Sequence, residues 1–586
     1  MKGSIKLVLL GAILVLVGAL MVAPIGAQEG GQGGIIIEGN LGGDPATFNP
    51  IIASDTASRR ITGFIYPGFL AVDPSQATIV PSYESIAGGA VVNDWEISED
   101  GTVYTFNLRQ DVFWSDGTPV TSADIIYTWE AIVAGAQGIV STPLSFVIDP
   151  TGESGILDVQ APDDYTVVVT FANAECTALN NAGVLYPAPS HMLPADLTEL
   201  NDAPFNLNPT VSGGPFLFSD FRPGEQVALV HNPNYSDAQL GYVNPSGFIY
   251  QNVPDQNVMV ERFLAGETNV IDSPAVARIA DIRAAQEQGR VQLYSYPGNI
   301  WDYFAMNLAD PTNPQNGLDE DGNPIDQGFH PIFGDVRVRQ AIARGIDVDA
   351  IVSAAVFGEG SRMTSFIIPA SWAYADDLPP IAYDPEAAAA LLEEAGWVDL
   401  NGDGVREATA AALHAEEGTP LSFTLYTNEG NTRRAAVGTL IQDQLAQIGI
   451  RVDFQTIDFN TLLDIMDSQT FDTIILGWRN GYPDDPDATQ LFTPASDVVG
   501  SGSNFTSYNN PEFVRLNNLA KSLPGCDPAE RAELYIQMQE IFQNDLPYVP
   551  LYVINGNYAA SASVNGFDPY PAQLYWNVDT WSIVTP

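Results

Sequence analysis

Lysine is nearly absent. Lys2, Lys6 and Lys521 are the only three in 586 residues, and with the arginines they make 22 bases against 72 acids, a formal charge of −50. A field of that sign repels phosphate backbones and anionic lipid surfaces, which excludes nucleic-acid binding. Its plainest use is solubility, and attraction of cationic ligands is the sharper alternative. Histidine is also scarce: His191, His231, His330 and His414 are scattered without ligand spacing, which argues against a Ser/His or Cys/His nucleophilic site. No Gly-x-Ser-x-Gly elbow, His-Glu-x-x-His helix or Walker loop occurs. No cofactor or metal is therefore expected. Paired carboxylates for glycoside hydrolysis survive this elimination, because acids are abundant and the separation that matters is spatial, but no local motif supports them. Charged residues are only 16% against 45% hydrophobic, so disorder is excluded as the main state. At roughly 150 residues per domain the chain has length for about four domain-sized units.

Long apolar runs are missing beyond the N-terminus. Lys2 and Lys6 precede the run Leu7 to Ala23, and Ile25-Gly26-Ala27 offers small residues before Gln28. Residues 1–27 therefore read as an export signal, with an uncleaved membrane anchor as the alternative. Cleavage would remove two lysines and no acid, moving the formal charge from −50 to −52. No cysteine lies near the junction to take a lipid. Residues 28–34 are a Gly-rich linker. An exported chain reaches an oxidising compartment, and Cys176 and Cys526 can pair in only one way. A disulfide is expected, although two isolated thiols would read the same.

Residues 35–72 read as a buried strand (Ile35-Ile36-Ile37), a loop and a helix carrying Ile61, Phe64 and Ile65. Residues 73–211 are rich in antiparallel strands, turned at Asp100-Gly101 and Asp116-Gly117, with one helix opened by a capping box from Thr121 to Asp124. From about 300 to 547 the pattern is α/β. Asp335 and Asp384 cap helices, Leu421-Phe423-Leu425 and Ile450-Val452-Phe454 alternate as strands, and Thr473-Ile474-Ile475-Leu476 is a buried strand. Strand, helix, strand, helix, strand implies parallel pairing with right-handed crossovers. Ligands gather outside the carboxyl ends of such strands, which singles out the segment Gly477 to Pro486 as a binding loop. Asp399-x-Asn401-x-Asp403-Gly404 resembles the start of a calcium loop, but the twelfth position is Ala410 rather than an acid. An Asx-rich turn is the expectation there.

Trp95 through Arg109, continuing from Trp114-Ser115-Asp116-Gly117-Thr118-Pro119 to Asp124, resembles the signature of family 5 extracellular solute-binding proteins. These are the dipeptide, oligopeptide and nickel receptors of ABC importers. Ser212-Gly213-Gly214-Pro215-Phe216, Asn232-Pro233-Asn234-Tyr235, Asp335-Val336-Arg337 to Ile342, Ala395-Gly396-Trp397, Gly477-Trp478 and Leu546-Pro547 to Tyr552 occur in family order. The resemblance implies an α/β class II flytrap: two α/β lobes and an additional strand-rich domain closing on ligand. By analogy residues 35–72, 212–300 and 548–586 make a discontinuous first lobe, 73–211 the additional domain and 301–547 the second lobe.

The function implied by the resemblance is that of a non-enzymatic, exported receptor, monomeric by family default, in the periplasm or at the outer face of the cytoplasmic membrane. It would deliver a small solute, a peptide or else an oligosaccharide, to an ABC permease and its ATPase. The alternatives are a secreted carboxylate-dependent hydrolase and a ligand sensor for a membrane receptor. Expected ligand contacts are Trp478, Arg479, Asn480, Tyr482 and Asp484 in the second lobe, Trp301 and Tyr303 near the crossover, and Phe48 and Asn49 in the first-lobe loop. Relatives that grip a peptide amino terminus resemble Gly-Trp-x-x-Asp-Tyr here, and this chain has Gly481 where the acid would stand. A flytrap also constrains the cysteines, since a Cys176–Cys526 bond across moving lobes is expected only near the hinge.

Overall fold

Two long strands crossing the molecule organise the fold. The computed structural model describes residues 33–584 apart from 42, 76–77, 86–88, 149–154, 238–244, 254, 320–321 and 482–483. The expected export signal, most of the linker and Tyr482 therefore lie outside the described residues. Val291–Met306 pairs antiparallel with Tyr548–Ser561, and an 11-stranded sheet extends from this pair in both directions. Beyond the far end of Tyr548–Ser561 come Val270–Asp272, Ile35–Asn40 and Gly247–Asn252, mutually parallel, then the meander Gln226–His231 and Phe216–Arg222. Against the end of Val291–Met306 lies Thr473–Arg479, followed by Ser422–Asn428 and Arg451–Ile457. These last three are parallel and are connected by the helices Thr432–Ala446 and Phe459–Asp467, as the alternating apolar pattern implies. The sheet thus has two α/β lobes sharing the long pair. A boundary at 300/301 falls inside a strand.

A separate antiparallel sheet of Val92–Ile97, Val103–Leu108, Thr166–Phe171 and Ile156–Asp163 occupies the strand-rich section. The helix Ser122–Ala136 covers it, started by the Thr121/Asp124 capping box and burying Ile125, Trp129 and Ile132. Its core is continuous with the first lobe: Phe106, Trp114 and Ile125 belong to one buried cluster with Phe64, Phe248 and Trp581. Each large apolar side chain so buried stabilises the contact by about 1.5–3 kcal/mol, so these two parts form one body. The second lobe has its own cores on the two sheet faces, one around Phe304, Ile342 and Leu425, the other around Tyr303, Phe505 and Tyr548.

The long pair is interrupted twice. Between Pro297 and Ile300 the register slips, leaving Gly298 and Asn299 unpaired with the partner strand. A Cβ on Gly298 would fall 2.1 Å from the Ile554 carbonyl oxygen, so only glycine permits this approach. A second slip sets Asp302 opposite Tyr552 but Tyr303 opposite Pro550. The extra residue, Leu551, is adjacent to a proline that has no N–H to give the ladder, which is where a bulge is tolerated.

Cys176 and Cys526 form a disulfide with Cα atoms 5.4 Å apart. The Cys176 N–H also donates to the Lys521 carbonyl at 2.8 Å. Cys526 lies in the turn between the helices Pro511–Lys521 and Pro528–Asp545, so the bond ties the strand-rich section to the second lobe. Neither cysteine is on the long strands, so the bond is a second connection between the lobes rather than part of the hinge ladder. No helix among the described residues is long and apolar enough to cross a membrane. Replacing both cysteines by Ser should lower the free energy of unfolding by about 2–4 kcal/mol, because the bond closes a long loop in the unfolded chain; an unchanged urea midpoint would contradict this.

Candidate ligand cleft between the lobes

The carboxyl ends of the parallel strands in both lobes point at each other across the long pair. Asp272 ends one first-lobe strand, and Asn428 and Arg479 end two second-lobe strands. All three line a cavity of about 920 Å³, floored by Gly298 to Ile300 and Ile554 to Tyr558. This is where the topology of parallel sheets places ligands.

The expected contact residues divide. Trp478 and Arg479 are still in the strand, paired with Trp301 and Ile300, not in a loop. The partner that extends the strand is distant in sequence, so local periodicity ends it too early. Successive strand residues face opposite sides, and Arg479 turns to the cavity while Trp478 stacks on Tyr303 with ring centroids 6.0 Å apart. Tyr303 stacks in turn on Tyr548 at 4.3 Å. Trp301 is buried, and its Nε1 donates to Asn480 Oδ1 at 3.0 Å. Asn480 exchanges backbone and side-chain bonds with Asn299, and its Nδ2 donates to Asp484 Oδ1 at 2.9 Å. Asn480 thus anchors the strand exit to the register slip at Gly298-Asn299. Asp484 is absent from the cavity lining; burial pushes its carboxyl up, and its carbonyl accepts from Trp372 Nε1.

Phe48 and Asn49 are not at the cavity. Phe48 is fully buried, its ring 4.9 Å from Phe218 and 5.4 Å from Phe221. Asn49 Nδ2 donates to Asn206 Oδ1 at 3.0 Å. The Phe48 ring packs inside the first lobe, while Asn49 and the Phe48 N–H, which donates to the Asn206 carbonyl at 2.6 Å, fasten the loop to the strand-rich section. Of the expected contacts that the structure describes, Arg479 alone lines the cavity.

Several lining residues escaped the sequence reading. Asn428 and Asn431 lie at the end of the strand Ser422–Asn428 and just beyond it, so the same carboxyl-end rule applied to that strand would have found them. Phe357 gave no signal. It comes after the helix Val348–Ala355, is 59% exposed, and holds φ +56. A bulky residue in the left-handed region costs of order 1 kcal/mol, and here that cost holds an aromatic ring out of the core and beside the cavity.

The charges around the cavity are mostly matched. Arg60 donates to Glu38 Oε1 at 2.5 Å and to Asp272 Oδ2 at 2.6 Å. Burial pushes the Glu38 carboxyl up, against the pull of Arg60. Asp302, wholly buried, receives Arg433, Arg434 Nη2 at 3.1 Å and the Tyr552 hydroxyl at 2.8 Å. Gly477 makes room for this cluster, since a Cβ there would meet Asp302 Oδ1 at 2.4 Å. Arg479 is exposed, and its side chain has no ion pair or hydrogen bond among the described residues. Its field reaches Tyr558 across the hinge, opposing the burial that raises that hydroxyl.

A family profile, bacterial extracellular solute-binding proteins, family 5 (middle region), matches residues 88–498. The chain belongs to this family. A relative with matching length is the oligopeptide-binding protein AppA of Bacillus subtilis, 27% identical over 565 residues, spanning 94% of this chain and 92% of AppA. The AppA structure in complex with a nonapeptide superposes with a TM-score of 0.71 at 24% identity, covering 95% of this chain and all of that one. NikZ of Campylobacter jejuni in complex with Ni(L-His) gives 0.71 at 20%, covering 94% and 99%. The fold is accordingly the class II flytrap, two α/β lobes with an added strand-rich domain.

Away from the cleft, Asp399, Asp403 and Glu407 bring carboxylate oxygens within 4.8 Å of one another. Glu407, the third acid, was missed because a twelve-residue spacing was assumed; the chain turns back at Gly404 and delivers it at the ninth position. These carboxylates already accept backbone N–H groups of Leu400, Gly402, Gly404 and Val405, as in an Asx-rich turn.

Asp302→Ala should destabilise the protein by about 3–5 kcal/mol in denaturant titrations, because two half-buried guanidinium groups lose the wholly buried carboxylate that pairs with both. A loss under about 1 kcal/mol would mean that water replaces the carboxylate without cost. Phe357→Gly should leave the melting temperature unchanged or raise it while weakening solute binding. A lowered melting temperature would place Phe357 in packing instead.

Proposed function

We propose that the chain is an exported, non-enzymatic receptor that captures a small solute between its lobes and hands the closed form to an ABC permease and its ATPase. The observation that carries this reading is the 920 Å³ cavity at the facing carboxyl ends of both lobes' parallel strands. Peptide is the first candidate class, on the strength of AppA and of the di/tripeptide-binding relative in Pseudomonas aeruginosa; oligosaccharide is the second, because Phe357 and amides such as Asn299, Asn428 and Asn555 offer an aromatic face and neutral hydrogen bonds. The moving bodies are the first lobe carrying the strand-rich section 73–211, and the second lobe, with the chain passing between them inside both long strands, because Tyr548 to Val553 pack in the second-lobe cores and Tyr558 to Ala560 in the first lobe. They bend at Gly298-Asn299 and the facing Asn555-Gly556. The disulfide supplies a second pivot, and two bodies joined at two separated points keep a rotation about the line between them. Binding energy then shifts an open ensemble toward a closed one.

A hydrolase reading finds little support. Among the described residues Asp272 is the only acid in the cavity lining, and it is paired with Arg60, so the second carboxylate that hydrolysis needs is missing there. Native mass spectrometry of the purified protein should show one solute per monomer, released unaltered on denaturation. Recovery of cleaved product, or a protein that never carries or rebinds any solute, would overturn the receptor.

A further inference from the structure

The chain carries 72 acids and 22 bases, yet its cleft reverses that balance. Among the described residues the lining contains Arg60, Arg433 and Arg479 and only one acid, Asp272. Behind the lining the matched groups cancel incompletely. Glu38 and Asp272 share Arg60, while Asp302 alone faces both Arg433 and Arg434. Together with Arg479 this makes four guanidinium groups and three carboxylates, one positive charge in excess. In a protein so acidic, a cavity with an uncancelled cation is not the composition repeated; it is a local exception at the ligand site.

The excess sits on one group. Arg60 is oriented by two carboxylates and Arg433 by Asp302 and the Tyr552 hydroxyl. Arg479 has no such partner among the described residues, and it ends the strand at the point where the two lobes meet. Its planar fork is left open to a bidentate acceptor. An ammonium group finds no equivalent, since Asp272 is spent on Arg60 and on the Ser273 hydroxyl.

Resting on the receptor reading, we infer that the cleft selects a carboxylate-bearing solute whose anion pairs with Arg479, and that a free amino group on the solute is not required. The rest of the molecule would be held by the neutral amides and by Phe357. Peptides and sugar acids share this anionic chemistry, and matched probes separate them.

The test uses the full-length oxidised protein and two sets of matched probes in thermal-shift and calorimetric titrations. One set comprises short peptides with free or amidated carboxyl ends and free or acetylated amino ends; the other pairs sugar acids with the neutral sugars. In whichever set binds, the carboxylated member should bind at least tenfold more tightly than its neutral counterpart, and acetylation should change affinity less than about threefold. Arg479→Gln should erase that preference, Arg479→Lys should keep most of it, and Arg222→Gln, on the exposed edge strand far from the lining, should leave it intact. Circular dichroism of the variants checks that each is folded. Equal binding of neutral counterparts, a requirement for the amino group, or a preference that survives Arg479→Gln would overturn the inference while leaving the receptor standing. If no probe of either kind binds, the inference is lost, and the receptor reading is decided by the solute recovered in native mass spectrometry.

Discussion

The antiparallel pairing of Val291–Met306 with Tyr548–Ser561 is the constraint on which the rest depends. Each strand is long enough to serve both lobes, so the first lobe hangs from one end of the pair and the second from the other. A ladder that was continuous would make the molecule a single rigid sheet. The slip at Gly298-Asn299 breaks it where the lobes meet, and the same slip lets Asn299 turn its hydrogen bonds to Asn480, just past the end of the neighbouring strand. One irregularity thus supplies a place to bend and fixes the strand end that carries Arg479.

The disulfide changes what bending can mean. The strand-rich section shares its core with the first lobe, and Cys176–Cys526 fastens that section to the second lobe. In the proposed closure, the bond and the interrupted long pair together would leave one rotation between the two bodies. Loss of freedom in the open state lowers the entropy surrendered on closing, which is the sense in which a covalent tie preorganises a binding protein.

What could be read from the chain was whatever local chemistry determines. Asp335, Asp384 and the Thr121/Asp124 pair announced helix starts because capping is a contact of neighbouring residues. The parallel order of 421–479 came from alternating periods. The site was harder, because it is built by long-range pairing. Gly477 reads as a strand end until Asp302 and Arg434 are seen to require a missing side chain there. Phe48 looked like a ligand contact because Phe218 and Phe221, which bury it, lie about 170 residues away. Phe357 became visible only through its exposure and backbone.

Small-angle scattering of the oxidised protein, emptied of its co-purifying solute and then reloaded with it, tests the central claim most directly. Closure about the hinge and the disulfide predicts a smaller radius of gyration in the loaded state, reversed when the solute is removed. Identical scattering in the two states, with one solute demonstrably bound, would contradict a cleft that closes on its ligand.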